Sequence, residues 1–124
     1  MRVLIVDDSS FIRDYIRQQM EYLGWGCTEA QDGREALGML CNEDGFDVML
    51  VDVNMPVMDG MECVRQLRDA QLAPEMKVMM VTTEADNSFI RLALEYGADE
   101  FLMKPFSPQS LREKLLLLGF EMAA

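Results

Sequence analysis

Short apolar runs and amphipathic segments alternate five times along this chain, and this alternation limits its possible folds more than any other feature. The apolar runs indicate strands over residues 2–6, 27–30, 47–52, 77–82 and 100–103. The segments that follow them have helical spacing, over residues 9–23, 34–41, 60–70, 84–96 and 107–118. Runs such as Val3-Leu4-Ile5-Val6 are typical of strands buried on both faces of a parallel sheet. Five close strand–helix units therefore predict a doubly wound α/β fold with a parallel sheet.

The helical segments carry their own start and stop signals. Either Ser9 or Ser10 can cap the first helix, whose apolar residues then share one face. Gly24 provides a stop for that helix. Pro108 suits the first turn of the last helix, which we expect to begin near residue 107.

Size and charge limit the class of protein. The chain has 124 residues, half of them hydrophobic, and we expect residues 1–124 to form a single domain without an output domain. A net charge of -11 without a local basic patch makes nucleic acid and anionic membranes poor partners. The first residues lack the apolar core of a signal peptide, and no apolar stretch approaches the ~20 residues of a membrane span.

Cysteine and histidine usage narrows the chemistry further. Cys27, Cys41 and Cys63 are odd in number and form no C-x-x-C pair. This spacing favours reduced thiols in a cytoplasmic protein, where they serve as small core side chains. The sequence contains no histidine, which disfavours zinc binding and histidine-based catalysis.

Charged and polar side chains stand at the ends of the apolar runs, where an unpaired buried charge is costly. Asp7 and Asp8 follow the first run, Asp52 ends the third, Thr82 ends the fourth and Lys104 follows the fifth. Ligands of open parallel sheets bind beyond these strand ends. Two carboxylates about 5 Å apart repel by roughly 3 kcal/mol at an effective dielectric constant of about 20, so three together need a cation. All-oxygen ligands favour Mg²⁺ or Mn²⁺ over zinc.

The strand-end motifs together resemble one family over essentially the whole chain. They are Leu4-Ile5-Val6-Asp7-Asp8, Asp52-Val53-Asn54-Met55-Pro56-Val57-Met58-Asp59-Gly60, Val81-Thr82 and Lys104-Pro105-Phe106. The chain is similar to the receiver domains of two-component response regulators, and most to the stand-alone chemotaxis type, CheY. This resemblance implies a five-stranded sheet in the order 2-1-3-4-5 with five helices, and a monomer.

The resemblance also implies a phosphoacceptor and its metal ligands. Asp52 would accept a phosphoryl group from a phosphohistidine on a CheA-like histidine kinase, forming an acyl phosphate. Asp8 would bind Mg²⁺ directly and Asp7 largely through water, and Mn²⁺ could substitute. Asp52 would add a carboxylate oxygen and Asn54 its backbone carbonyl.

Three further positions would sense the phosphoryl group. Lys104 would pair with a phosphoryl oxygen, and Pro105 resembles a position where the family has a cis peptide. Thr82 would move its hydroxyl onto the phosphoryl group, which would let Phe101 turn inward. That change would alter the face of helix four, strand five and helix five that a protein target contacts, with the flagellar motor switch as a candidate target.

Two positions depart from the common chemotaxis pattern and two match it. Phe101 replaces a tyrosine, so its inward state leaves no hydroxyl to satisfy. Thr83 follows the switch threonine where some relatives have a smaller residue, and it would crowd access slightly. Asn54 and Glu84 match positions that influence hydrolysis in the family. We therefore predict that the phosphoryl group is lost within seconds to minutes.

Purely structural roles and two other classes of protein are compatible with parts of this pattern. Asp7-Asp8 alone could be a turn and helix cap, and we interpret Asp59-Gly60 as turn chemistry. A haloacid-dehalogenase-type phosphatase would share the nucleophile and the metal, but its D-x-D motif lies on the first strand. A flavodoxin-like carrier would need a Ser/Thr-rich loop after strand one, where the aspartates would instead repel the flavin phosphate.

Within the receiver family, three outputs remain open. The protein could bind a flagellar motor, regulate another target as a non-chemotaxis single-domain regulator, or act as a phosphate sink. All three outputs need the same phosphorylation site. They differ in the surface that helix four, strand five and helix five present to a partner. The candidate residues on that face are Ile90, Arg91, Leu94, Glu95, Phe101 and Arg112.

Overall fold

The computed structural model of the chain describes residues 1–83 and 87–121. Its elements are β1 (Arg2–Val6), α1 (Ser10–Tyr22), β2 (Gly26–Ala30), α2 (Gly33–Asn42), β3 (Val48–Asp52), α3 (Gly60–Asp69), β4 (Lys77–Thr82), α4 (Asn87–Tyr96), β5 (Glu100–Met103) and α5 (Pro108–Leu117). The strands form one parallel sheet in the order β2-β1-β3-β4-β5, which confirms the doubly wound α/β fold. The predicted start of the fourth helix at Glu84 lies outside the described residues. None of the described helices is long and apolar enough to cross a membrane.

Helices cover both faces of the sheet, which explains why the interiors of its central strands are apolar. Successive strand residues point to opposite faces. Val3 and Ile5 accordingly share one core cluster with Leu111 of α5. Leu4 belongs to the other cluster, with Leu67 of α3. Because neither face meets water, Val3 to Val6 of β1 and Val48 to Val51 of β3 are all apolar, and charged residues stand only at the ends of these strands.

Side-chain caps set where α1, α2, α3 and α5 begin. The backbone N–H groups of Ile12, Glu35, Glu62 and Ser110 donate to Ser9 (3.2 Å), Asp32 (2.8 Å), Asp59 (2.9 Å) and Ser107 (3.1 Å), respectively. Each cap satisfies an N–H group that has no partner within its own helix. Ser9, rather than Ser10, is the cap of α1. The connection between β1 and α1 therefore has only three residues, 7–9, which keeps two aspartates at the strand end.

The register of the strands brings their carboxyl ends to one edge of the sheet. The last paired positions are Val6 with Val51, Asp52 with Val81, and Thr82 with Met103. Residues that end or follow β1, β3, β4 and β5 therefore meet at the same edge. This edge carries the candidate site.

Candidate functional site

Three carboxylates and one ammonium group meet at the carboxyl edge of the sheet. One oxygen from each of Asp7, Asp8 and Asp52 lies within 4.8 Å of the others. Asp7 and Asp52 are buried, whereas Asp8 is exposed, so the cluster has one open side. Asn54 is exposed in the loop two residues beyond Asp52. The structure thus brings together the carboxylates that the sequence predicted to be neighbours.

Lys104 bridges the two buried carboxylates. Its Nζ lies 2.8 Å from Asp7 Oδ2 and 3.3 Å from Asp52 Oδ1. Its backbone N–H donates to the carbonyl oxygen of Thr82 at 2.7 Å, which ties the residue to the end of β4. The Lys104–Pro105 peptide is cis, in agreement with the family resemblance. The lysine side chain is only 18% exposed, so water screens these contacts weakly.

Burial and charge shift the pKa values of this pair. Burial raises the pKa of Asp52, and the neighbouring Asp7 charge raises it further, while Lys104 acts in the opposite direction. For Lys104, burial acts to lower the pKa, but the hydrogen bond and charge of Asp7, followed by Asp52, outweigh it and raise the pKa. The lysine therefore stays charged, and the ionised form of Asp52 is disfavoured compared with an exposed carboxylate.

The chemistry of this cluster fits a hard divalent cation. With the aspartates ionised, three carboxylates face one ammonium group, which leaves an excess of two negative charges. The cluster offers oxygen ligands from Asp7, Asp8 and Asp52, and its exposed member leaves an entry path. Oxygen ligands with access for water are what Mg²⁺ and Mn²⁺ prefer. The residues present therefore fit the predicted metal.

The two predicted switch residues lie on neighbouring strands. Thr82 is buried at the end of β4, and Phe101 on β5 is partly buried against the core cluster that contains Ala93 of α4. Lys114 of α5 places its Nζ 4.6 Å from the centre of the Phe101 ring and pairs with Glu100 at 3.1 Å. Phe101 therefore contacts elements of the face that was predicted to change. Glu84, predicted to tune hydrolysis, lies outside the described residues.

Gly60 is a site residue that the sequence interpretation missed. A Cβ at this position would lie 2.2 Å from the carbonyl oxygen of Asp52, so only glycine fits there. The Gly60 N–H also donates to the Val53 carbonyl oxygen at 2.9 Å. Asp59 does cap α3, but interpreting Asp59-Gly60 as turn chemistry alone was incomplete. The start of α3 packs directly on the backbone of the predicted phosphoacceptor.

Replacement of Lys104 with methionine is expected to weaken the metal-free fold and to tighten Mg²⁺ binding. Two buried carboxylates would lose their shared counter-charge, at a cost of about 2–4 kcal/mol. A divalent cation would then relieve more repulsion than it does in the wild type. Urea unfolding with chelator and with Mg²⁺ measures both effects.

Lys114→Met is the matched control for this change, because Lys114 is also partly exposed and paired with one carboxylate. We expect the control to leave Mg²⁺ binding unchanged. If Lys104→Met binds Mg²⁺ more weakly than the wild type, then the lysine does not act as the counter-charge of this cluster.

Comparison with known proteins places this geometry in a family. The model of the response regulator receiver domain matches residues 3–116, and the chain belongs to this family.

Several of the similar relatives are chemotaxis proteins. The chain is 39% identical over 116 residues to a chemotaxis protein CheY homolog of Campylobacter jejuni, which covers 93% of the chain and 89% of the relative. It is 40% identical to chemotaxis protein CheY of Pseudomonas aeruginosa, with 93% of each chain covered. The crystallised chemotaxis protein CheY4 of Vibrio cholerae superposes with a TM-score of 0.87 at 37% identity, covering 94% of this chain and 96% of that chain. The chain is thus a receiver domain homologous to CheY chemotaxis response regulators, and neither the phosphatase nor the flavodoxin alternative is favoured.

Proposed function

We propose that this protein is a phosphorelay switch in chemotaxis that accepts a phosphoryl group on Asp52. The donor would be a phosphohistidine on a histidine kinase of the CheA type. The single observation that carries the proposal is the position of Asp52, which is buried beside Asp7, bridged to it by Lys104, and close to the exposed Asp8. The similarity to named CheY proteins supports the chemotaxis setting and, with it, a place in the cytoplasm.

The chain's own residues supply most of the reaction's requirements. An Asp52 oxygen attacks the phosphorus atom, the bond from phosphorus to the donor nitrogen breaks, and an acyl phosphate results. Asp7, Asp8, the Asp52 carboxylate and the Asn54 carbonyl would hold Mg²⁺ or Mn²⁺, which neutralises negative charge on the phosphoryl oxygens. Lys104 would transfer one of its contacts from a carboxylate to a phosphoryl oxygen. In this way the domain assists its own phosphorylation. The same residues would assist its dephosphorylation, in which water accepts the phosphoryl group.

The output would come from a change in the face of α4, β5 and α5. Thr82 would turn its hydroxyl toward the new phosphoryl group, and Phe101 would move into the space beside β4. Phe101 already contacts the core under α4 and the Lys114 side chain of α5, so its movement would reach both helices. A partner that binds only one of the two arrangements shifts their populations. We propose the flagellar motor switch as that partner.

Phosphorylation by a small donor tests the first step. Incubation with acetyl phosphate and Mg²⁺ should raise the intact mass by one phosphoryl group, and chelation of Mg²⁺ should prevent the rise. Reduction of the acyl phosphate followed by peptide mapping should place the modification at Asp52. An unchanged mass with small donors and with a histidine kinase would contradict the proposal.

Partner capture tests the output. Beryllofluoride mimics an acyl phosphate, so the activated protein should retain purified motor-switch protein more tightly than the unmodified protein does. Leu94→Ala on the exposed side of α4 should weaken this retention, whereas Tyr22→Ala, also exposed but on α1 and outside that face, is the control. Equal retention of the target by both forms would contradict the switch and favour a phosphate sink.

A further inference from the structure

A guanidinium group from α1 holds the loop that carries two of the predicted metal ligands. Arg13 Nη1 donates to the backbone carbonyl oxygen of Asp7 at 2.6 Å. The arginine lies in the first turns of α1, and its side chain is only 18% exposed. A charge-assisted hydrogen bond in such a shielded place is stronger than a neutral one. Neither the composition nor the family resemblance assigned this residue a role.

The other polar atoms of Asp7 are held by different partners. Its N–H donates to the Ala30 carbonyl oxygen of β2 at 3.1 Å. Its Oδ1 accepts from the Ser9 N–H at 2.9 Å, and its Oδ2 accepts from Lys104. These bonds hold the strand end and the Asp7 side chain. Among these contacts of Asp7, only the bond to Arg13 acts on the peptide unit that joins Asp7 to Asp8.

That peptide unit determines where the Asp8 side chain starts. A peptide is planar, so the direction of the Asp7 carbonyl also sets the direction in which the chain continues to the Asp8 Cα. Asp8 is exposed, and neighbouring side chains therefore enclose its carboxylate on few sides. The orientation of the Asp7–Asp8 peptide is thus the main constraint on where this ligand points.

Arg13 is itself anchored to the sheet. Its Nε donates to Glu29 Oε1 of β2 at 3.2 Å, and Glu29 Oε2 accepts from Arg17 Nη1 at 3.2 Å. Because a guanidinium group is rigid and planar, holding Nε on Glu29 limits where Nη1 can point. Arg13 and Arg17 thus share one carboxylate, but of these two arginines only Arg13 contacts Asp7.

We infer that Arg13 is a positioning residue that orients the Asp7–Asp8 peptide for divalent-cation binding. The inference rests on the proposed function, because it concerns the metal site which that function requires. The positive charge of Arg13 affects cation affinity in the opposite direction to its positioning effect. A positive charge near a cation site weakens binding, so its removal alone would tighten binding. A loss of cation affinity when Arg13 is replaced therefore indicates a positioning effect and not a charge effect.

Direct metal titration tests the inference without any measurement of activity. Mn²⁺ binding is followed by the electron paramagnetic resonance signal of the free ion, with Mg²⁺ in competition. Arg13→Met is expected to weaken Mn²⁺ binding about tenfold or more, as loss of outer-shell support does at other metal sites. Arg13→Lys keeps a donor and the charge but loses the planar fork, and it should recover part of the affinity.

Arg17→Met is the matched control, since it removes the same charge from the same helix and a bond to the other oxygen of Glu29, but leaves Asp7 untouched. It should leave Mn²⁺ affinity unchanged or slightly higher. Arg13→Met with unchanged or tighter binding overturns the inference, as does an equal loss in Arg17→Met. If Arg13→Met does not fold, the comparison of Arg13→Lys with Arg17→Lys decides in the same way.

The wild-type titration distinguishes failure of the proposed metal site from failure of the role inferred for Arg13. Wild-type protein that takes up no Mn²⁺ would overturn the proposed metal site and the Arg13 inference with it. If the wild type and Arg13→Met bind Mn²⁺ equally tightly, the proposed function is unaffected and only the role of Arg13 is contradicted.

Discussion

Replacement of Asp52 with asparagine is expected to abolish phosphoryl uptake and, at the same time, to stabilise the metal-free fold. The amide cannot form the acyl phosphate, so the mass increase with acetyl phosphate should disappear. The gain in stability has a separate cause. At neutral pH the Asp52 carboxylate is buried close to the charges of Asp7 and Asp8, and the amide removes one of these three charges. The relieved repulsion exceeds the lost contact with Lys104, for a net gain of about 1–2 kcal/mol.

The direction of the pKa shift predicts how this gain depends on pH. Burial first, and then the charge of Asp7, raise the pKa of Asp52 above the ordinary 3.8. A carboxyl group whose pKa is raised by folding destabilises the fold when it is ionised. This cost is absent below the ordinary pKa, where both states are protonated, and fully present above the raised value. The stability difference between Asp52→Asn and the wild type should therefore increase as the pH rises from the ordinary pKa of Asp52 to its raised pKa in the folded protein.

Urea unfolding in the presence of chelator at several pH values measures this difference. Asp59→Asn is the matched control, because it removes the same charge from an exposed cap where asparagine serves equally well. Its stability should stay within about 0.5 kcal/mol of the wild type. A wild type that is more stable than Asp52→Asn without metal at neutral pH would contradict the electrostatic account of the site.

Replacement of Gly60 with alanine is expected to destabilise the fold strongly and to slow phosphorylation. The new Cβ would stand 2.2 Å from the Asp52 carbonyl oxygen and 3.1 Å from the Cα of Val53. Both atoms belong to the backbone, so no side-chain rotation can relieve the contact. Either α3 or the end of β3 must move, at a cost of about 2–4 kcal/mol. A shift of about 1 Å at Asp52 should also slow phosphorylation by tenfold or more.

Gly38→Ala is the control for the Gly60 substitution. Gly38 lies in α2, is exposed, and has no atom within 4 Å of an added Cβ. Alanine should stabilise this helix by about 0.5–1 kcal/mol. Chemical unfolding and the rate of phosphoryl uptake are compared for both variants. If Gly60→Ala were as stable and as rapidly phosphorylated as Gly38→Ala, the close packing of α3 on Asp52 would be ruled out.

Much of the secondary structure was predictable from local patterns. The predicted strands 2–6, 77–82 and 100–103 have the bounds of β1, β4 and β5, while β2 and β3 each differ by one residue at their start. These runs are apolar because both faces of their sheet are covered, and such a pattern is visible in sequence. The residue that caps α1 was not predictable from local patterns. The sequence allowed Ser9 or Ser10, and the choice of Ser9 depends on backbone angles that local composition does not determine.

Contacts between distant segments were not predictable in this way. An Asp-Gly pair after a loop is typical of many turns, and nothing near Gly60 indicates that the Asp52 backbone occupies the space of a side chain. Likewise, Arg13 resembles any polar residue on the exposed side of an amphipathic helix. Its bond to Asp7 exists because α1 folds back along β1 beside Glu29 of β2.

The sequence by itself determined that carboxylates end two apolar strands and that a lysine follows another, since burial allows charge only at such ends. It also predicted Mg²⁺ or Mn²⁺ as the cation that such oxygen ligands suit. The tertiary structure decided which groups are in contact: Lys104 bridges Asp7 and Asp52, Arg13 binds the Asp7 carbonyl, and α3 approaches the sheet at Gly60. These contacts depend on the parallel register and on helix packing, which join residues far apart in the chain and leave no local signal.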